Sequence, residues 1–345
     1  MSTRPQPEPN ERLHIKDVAR LAGVSTGTVS RALNKRGRIA PATRERILRI
    51  VEQTGFVRNA SALSLVGSRT GIVEVVVTSV IDEYFGQVIL GINQALRPAG
   101  YSILLRLHVP DEERERYYAG QLSRRTADGA LLIVPKHVNE GELLRQYQRG
   151  YPLVVVDHRS GDPAVPSVSA SHYEGARQAV AHLLELGHRH IAIITGDLSE
   201  HSGRERLRGY REALAQVGMP RSGEDVVEGD YSPGSGADAM RRLLRQAAPP
   251  TAVFACNDHM ARAALDVIKE AGLAIPRDIS IVGFDDFPFA AATTPPLTTV
   301  RQPLDDIGRV AATMLLDLID GQPLADTHVR LQTALVLRST TGLPR

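Results

Sequence analysis

The chain is poor in the features that would place it in most functional classes. It has one cysteine, Cys256, in 345 residues. No internal disulfide can form, and a reducing cytosol suits it. The neighbours of that thiol, TAVFACND, read as the end of a buried strand, where sulfur is inert. No apolar run reaches the roughly 18 residues that span a bilayer. The first residues, MSTRPQPEPNER, are polar and proline-rich and lack the apolar core of a signal peptide. A soluble, cytoplasmic protein is expected.

Catalytic signatures are also missing. GSGADA at 234–239 is glycine-rich, but no P-loop pattern surrounds it and it reads as the start of a helix after Pro233. No G-x-G-x-x-G follows a strand, and no serine sits in a G-x-S-x-G elbow. His188 and His190 lack a third ligand at useful spacing. Asp285 and Asp286 are neighbours on an extended segment and point opposite ways. No catalytic residue, metal or cofactor is expected, and the chain does not read as an enzyme. After LVLRSTTGLPR there are no leucine heptads to build a tetramer, which leaves a homodimer as the simplest assembly.

What the chain does have is charge divided unevenly. Residues 1–70 carry 13 Lys/Arg against 5 Asp/Glu, and the remainder 28 against 34, so an overall net of +2 hides a basic head on an acidic body. A basic head attracts phosphate by counterion release, so only the head is expected to touch nucleic acid.

The head contains the most informative stretch, IKDVARLAGVSTGTVSRALN (15–34). Ile15, Val18, Ala19 and Ala22 recur at helical spacing, Gly23 breaks the run, and Ser25 can cap a second helix through Leu33. Val24, Val29 and Leu33 can face the first helix, across the small Ala19 and Ala22. Thr26, Gly27, Thr28, Ser30 and Arg31 are left on the outer side, where a helix-turn-helix meets base edges in the major groove. Pro41 opens a third helix to Thr54, with Ile47, Leu48, Ile50 and Val51 on one side and Arg44, Arg46 and Arg49 exposed. Three helices in about 45 residues make a small core. Between head and body, Asn59 can cap a short helical segment, 60–66, ended by Gly67. Its Leu63 and Leu65 either pack on the body or, paired in a dimer, wedge between base steps of the minor groove.

From Gly71 onward, short apolar strands alternate with amphipathic helices: GIVEVVV (71–77), SILLRLH (102–108), GALLIVP (129–135), PLVVVDH (152–158), HIAIITG (190–196), TAVFACN (251–257) and ISIVGFD (279–285). Near-continuous Val/Ile/Leu runs separated by helices mark parallel sheets covered on both faces. The number of strands suits two doubly wound α/β lobes with a ligand in the crevice at the strands' carboxyl ends. Candidate pocket residues just beyond those ends are Asp82, Tyr84, Phe85, Lys136, His137, Asp157, His158, Arg159, Asp197, Arg204, Arg206, Asn257, Asp258, Asp285 and Asp286.

The chain resembles bacterial transcription regulators of the LacI/GalR family from about Ile15 to Thr341. IKDVARLAGVSTGTVSRALN, RNASALSL, GHRHIAIITG, GRERLRGYREAL, ACNDHMARAAL, ISIVGFDD and PPLTTVRQP carry the likeness, in the family's order. The resemblance implies an all-α helix-turn-helix head and a two-lobed body like periplasmic sugar-binding proteins. It also implies a dimer on one pseudo-palindromic operator and a small effector between the lobes. Residues 1–12 would then be a disordered tail, 13–57 the DNA-binding head, 58–70 the hinge helix and linker, and 71–340 the effector-binding and dimerisation body. The first lobe would span about 71–168 and 301–328, and the second about 169–300 and 329–340.

By the same resemblance Thr26, Gly27 and Arg31 match base-reading positions, and Ser25, Thr28, Ser30 and Asn34 match phosphate-contacting or helix-supporting ones. Asn59 and Leu65 fall in the hinge, Leu65 at the minor-groove leucine. Gly27 offers no side chain, so specificity shifts to Thr26 and Arg31. Arg58 stands where proline is common and Leu63 where a polar residue is common. In the body, Arg206 and Asp285 match the effector-binding arginine and aspartate, Asp157 a hydroxyl acceptor, and Tyr231 an aromatic that packs on the effector. Tyr84 or Phe85 can supply the opposite face, with Asn257 nearby. An arginine with carboxylates grips vicinal hydroxyls, and aromatic faces suit sugar rings, so a sugar-controlled repressor is expected. An interlobe Arg206–Asp285 salt bridge without ligand is the structural alternative. A sugar-binding module without DNA function and a repressor with a nucleobase effector are the rivals. Lobe closure would change the pairing of the hinge segments, and induction is the expected sign.

Overall fold

The computed structural model describes residues 13–33, 38–56, 69–107, 126–133, 140–157, 165–219 and 225–345. Asn34, the hinge residues Arg58, Asn59, Leu63 and Leu65, and the candidates Lys136, His137, His158 and Arg159 lie outside them. Two compact units divide at Thr70/Gly71.

The first unit holds three helices: α1 (Ile15–Ala22), α2 (Thr26–Leu33) and α3 (Pro41–Thr54). Asp17 accepts the His14 backbone N–H at the start of α1, and Gly23, in the left-handed region at φ 63°, ends it. Only glycine takes that conformation without a Cβ penalty, so Gly23 makes the sharp turn into α2. Ser25 caps α2 as expected: its Oγ accepts the Thr28 N–H at 3.2 Å. Val18, Ala19, Ala22, Val29, Ala32 and Ile47 form the small core, with Ile50 and Val51 against it. Two expectations need correction. Leu48 points to solvent rather than joining that core, and Arg44 is half-buried, unlike the exposed Arg46 and Arg49. Residue 48 is one step round the helix from Ile47, about 100° off the buried stripe.

The second unit contains two six-stranded sheets. In chain order its elements are β1 (Ile72–Val77), α4 (Glu83–Leu96), β2 (Ser102–Leu107), β3 (Gly129–Ile133), α5 (Glu140–Gln148), β4 (Leu153–Val156), β5 (Ser167–Ala170), α6 (His172–Glu185), β6 (Ile191–Thr195), α7 (His201–Gln216), β7 (Val226–Glu228), α8 (Pro233–Leu244), β8 (Ala252–Ala255), α9 (Asp258–Glu270), β9 (Ser280–Asp285), β10 (Thr298–Arg301), α10 (Leu304–Ile319), β11 (His328–Leu331) and β12 (Ala334–Val336). The first sheet runs β11-β5-β4-β3-β1-β2, all parallel; the second runs β12-β10-β9-β8-β6-β7, parallel except for the antiparallel edge strand β12. β3, β4, β6, β8 and β9 are buried throughout, as their unbroken apolar runs require.

The seven apolar runs are all strands, but five further strands escaped notice. β5 (SVSA), β7 (VVE), β10 (TTVR), β11 (HVRL) and β12 (ALV) are short or polar, and lie at or near sheet edges. β2 is an edge strand with Leu104, Leu105 and Leu107 exposed, not a buried one. The chain passes between sheets after β5, after β10 and after β11. The last crossing therefore falls beyond Leu331, because β11 pairs with β5 in the first sheet. Two of these crossings are tied together: Ser171 Oγ accepts the Thr333 N–H at 2.9 Å and meets its hydroxyl at 3.1 Å.

Cys256 follows β8, fully buried, and burial pushes its thiol up to about 12, which suits an inert sulfur. Asp258, at the start of α9, is also fully buried; it accepts the Thr299 hydroxyl at 2.6 Å and the Phe287 N–H at 2.9 Å. Burial raises its carboxyl to about 7. The folded state therefore holds a proton that the unfolded chain releases near pH 4, so this group's stabilisation is complete below pH 4 and lost as pH rises to about 7. Asp258→Asn, which mimics the protonated form, should remove a slope of up to about 1.4 kcal/mol per pH unit in that window. Denaturant unfolding of both proteins from pH 4 to 8 checks this, with the variant expected to be the more stable at pH 8.

Candidate functional site

The head presents one candidate surface. Thr26, Gly27 and Arg31 on α2 and Ser25 at its cap are exposed, and Thr28 and Ser30 are half-buried beside them, all on the outer side that Val29 and Ala32 leave free. Ser25 and Thr28 join hydroxyls at 3.0 Å. Arg31 folds back along its own helix, its Nε donating to the Gly27 carbonyl at 3.2 Å and its Nη2 reaching Thr28 Oγ1 at 3.5 Å. These are exposed bonds that water replaces at little cost, so the guanidinium is free to swing outward. A Cβ on Gly27 would meet only Ser25 Oγ, at 3.8 Å.

In the body, the carboxyl ends of both sheets face a cavity of about 320 Å³. From the first lobe it is lined by Thr78, Ser79, Asp82, Tyr84, Phe85 and Asp157. From the second come Glu200, Ser202, Arg206, Asp230, Tyr231, Asn257 and Asp285. The structure thus brings Asp82, Tyr84, Phe85, Asp157, Arg206, Tyr231, Asn257 and Asp285 to one cavity. It does not bring the other described candidates there. Asp197 binds Ser199, Arg204 turns to the Leu198 carbonyl, Asp258 is buried under Phe287, and Asp286 pairs with Arg301 and Arg338.

Three of the lining residues, Asp157, Tyr231 and Asp285, hold left-handed backbone at φ 57°, 71° and 116°. Each ends or follows a strand (β4, β7 and β9), and the twist turns its side chain into the cleft. Non-glycine residues in that region are held by their surroundings at a cost of about 1–3 kcal/mol, and such positions gather at ligand sites.

Arg206 is the hub. It is 3% exposed on α7, and its guanidinium lies 3.9 Å from the centre of the Phe284 ring and 5.8 Å from that of Tyr231. Nη1 donates to the Cys256 carbonyl, Nη2 reaches His172 Nδ1 at 3.2 Å, and Asp285 Oδ1 is 3.8 Å away. Arg206 and Asp285 both belong to the second lobe, so their pair is not the interlobe bridge considered from sequence. The Arg206 Nε–H is buried with no hydrogen-bond partner among the described residues. An unmade bond of that kind is costly, and a ligand oxygen would satisfy it.

Around this cation the acids differ. Burial drives the Asp285 carboxyl well above its usual range, against the pull of Arg206 and a 2.6 Å bond from Gln302. Burial would also raise Asp157, but His172, Arg206 and the Tyr84 hydroxyl outweigh it and hold that carboxyl below its ordinary value. Tyr84 donates to Asp157 at 3.0 Å and stands edge-on to Phe85. Tyr231 packs against Gly196, where a Cβ would come within 2.0 Å of its ring, and its hydroxyl meets Ser202 at 3.0 Å. Asn257 lines the cavity but is largely committed to the fold: it caps α9 through Met260 N–H and donates to the Tyr231 carbonyl.

Sequence reasoning missed Thr78, Ser79, Glu200, Ser202, Asp230 and, behind the lining, His172. Thr78, Ser79 and Asp230 follow strand ends and could have been found by the rule that found Asp82. Glu200, Ser202 and His172 sit at helix starts and carried no such signal.

Comparison with known proteins agrees with both halves. Residues 14–59 match the model for bacterial regulatory proteins of the lacI family, and residues 180–341 that for a periplasmic binding protein-like domain. The chain is 36% identical to the HTH-type transcriptional regulator CelR of Thermobifida fusca, over 96% of this chain and 99% of that one. A solved CelR–cellobiose complex superimposes with a TM-score of 0.74, covering 95% and 100% of the two chains at 35% identity. The HTH-type transcriptional repressor PurR of Aliivibrio fischeri (strain MJ11) is 34% identical, over 94% and 97%. The Lac repressor dimer bound to operator and the anti-inducer ONPF gives a TM-score of 0.85 at 29% identity, over 96% and 100%. No helix of the described residues is long and apolar enough to cross a membrane. The chain belongs to the lacI family of bacterial regulatory proteins and is a helix-turn-helix transcriptional regulator.

Proposed function

We propose that the protein is a repressor that binds a pseudo-palindromic operator as a homodimer and is released from it by a neutral sugar held between the lobes. The observation that carries the effector reading is the donor–acceptor balance of the cavity. Five carboxylates, from Asp82, Asp157, Glu200, Asp230 and Asp285, surround a single guanidinium whose Nε–H has no partner among the described residues. Such a wall asks for a ligand with many hydroxyl donors and an occasional acceptor, which describes a sugar. Tyr84 and Tyr231 offer rings for its apolar faces. The CelR–cellobiose complex supports a glucose-type disaccharide as the first candidate. The PurR relatives support a purine base as the second reading.

Control requires only that the effector bind one arrangement of the lobes better than the other. Ser25, Thr26, Thr28 and Ser30 would hold and read the duplex, Gly27 would let it approach closely, and Arg31 would unfold from Gly27 and Thr28 to contact a guanine. Asn34, Asn59 and Leu65 would add their contacts from outside the described segments. A titration with palindromic DNA at several salt concentrations tests this. Affinity should fall about 10³-fold or more between 50 and 200 mM salt, and Arg31→Ala should cost about 1–3 kcal/mol while relaxing preference at one base pair. The same titration with cellobiose, other sugars and purine bases identifies the effector. Binding that ignores salt, or ignores every one of these compounds, would overturn the proposal.

A further inference from the structure

The polar chain through the cleft passes through a residue that does not line it. His172 is the first residue of α6, met just as the chain crosses from the first sheet to the second, and is 2% exposed. Its two ring nitrogens face different lobes. Nε2 lies in close contact with Asp157 Oδ1, which belongs to the first lobe. Nδ1 is 3.2 Å from Arg206 Nη2, which belongs to the second.

The direction of these bonds follows from chemistry. A guanidinium has five N–H donors and no acceptor, so Nδ1 must offer its lone pair to Arg206. The proton of a neutral ring then sits on Nε2 and is donated to Asp157, which also receives the Tyr84 hydroxyl at 3.0 Å. Protonating Nδ1 would set two donors face to face. Only the neutral Nε2–H form satisfies both neighbours.

We infer that His172 is the positioning residue of the effector site: held as the Nε2–H tautomer, it aims the Arg206 guanidinium from behind and ties it to the first-lobe carboxylate that faces it. This rests on the reading of the cavity as the effector site. Arg206 has three other constraints: the Cys256 carbonyl on Nη1, the Phe284 ring 3.9 Å from its centre, and the Asp285 carboxyl 3.8 Å from Nη2, beyond hydrogen-bond reach. None of the three gives Nη2 a hydrogen bond. The imidazole does, and it leaves the Nε–H for the ligand.

Two substitutions separate the two bonds. The amide of His172→Asn reaches the place of Nδ1 and keeps an acceptor for Arg206. The amide of His172→Gln reaches the place of Nε2 and keeps only the donor for Asp157. With cellobiose as the calorimetric probe, His172→Asn is expected to bind within about threefold of the unsubstituted protein, and His172→Gln and His172→Ala at least about thirtyfold more weakly. Equal losses in the Asn and Gln variants would show a merely structural side chain and overturn the inference. A second readout needs no ligand. Imidazole ¹⁵N spectra of the full-length protein, with the His172 signal assigned by its absence from the Gln variant, should show a protonated Nε2 and a bare Nδ1 at neutral pH. A protonated Nδ1 overturns the inference. Should cellobiose fail to bind the unsubstituted protein, the sugar reading falls and the spectrum alone decides on His172.

Discussion

Arg206→Ala should abolish the effector response while leaving operator affinity in the absence of effector within a few-fold of the unsubstituted protein. The argument is one of concentration of roles. The guanidinium is buried, stacked near Phe284, bonded to Cys256 and His172, and its Nε has no hydrogen-bond partner among the described residues. Removing it deletes the cavity's only described cation and leaves a ligand oxygen without its charged donor. Truncating one side of a buried charge-assisted pair costs about 2–5 kcal/mol, or roughly 30- to several-thousand-fold in affinity. Arg206→Lys should recover little, because an ammonium is a point charge and cannot span three partners at fixed angles. Calorimetry with the effector and operator titrations of both variants, with thermal melts as the folding control, measure all of this. A normal effector response in Arg206→Ala would remove the pocket assignment.

The same measurement carries a pH signature. Burial raises the Asp285 carboxyl well above its usual range. Ligand hydroxyls donating to Asp285 favour its charged form, so binding expels a proton and tightens as pH rises through that raised value. Without Arg206 the carboxyl loses its stabilising cation and rises further, which moves the transition to higher pH.

How much of this was visible in the sequence depends on which force wrote it. The head was legible nearly to the residue because capping, a left-handed glycine and a helical stripe are local: Ser25, Gly23 and Pro41 sit where the turns need them. The central strands were legible because both faces are buried and the whole run must be apolar. Edge strands such as β11, HVRL, bury little and leave no such mark. In the cleft, polar residues at strand ends stood out, whereas His172 reads as an ordinary helix-opening residue. Its role depends on Asp157 fifteen positions earlier and Arg206 thirty-four later, a juxtaposition made by the crossing between lobes.

Glycines buried between helices were equally silent, and they carry the second large prediction. Gly91 on α4 and Gly308 on α10 let the two helices touch backbone to backbone. A Cβ on Gly91 would lie 1.9 Å from the Asp305 carbonyl oxygen, and one on Gly308 would lie 2.0 Å from that of Val88. Neither glycine has positive φ, so backbone freedom is not the reason they are there. In an isolated helix, Gly→Ala would be favourable by up to about 1 kcal/mol. Here the obstacle is another main chain, which cannot rotate away as a side chain could, so the helices must separate and open the core around Val88, Ile92 and Ile307. Gly91→Ala is expected to destabilise the body by about 2–4 kcal/mol, and adding Gly308→Ala should cost less than the sum, since one separation serves both. Gly86→Ala on the same helix, with nothing within 4 Å, should be neutral or slightly stabilising. Denaturant unfolding distinguishes the three. Because the first turn of α4 also bears Tyr84 and Phe85, the Gly91 variant should bind effector more weakly than the Gly86 variant even where both are fully folded; equal stability of the two would show that the helices can part without cost, and the close crossing would lose its role in holding the cleft.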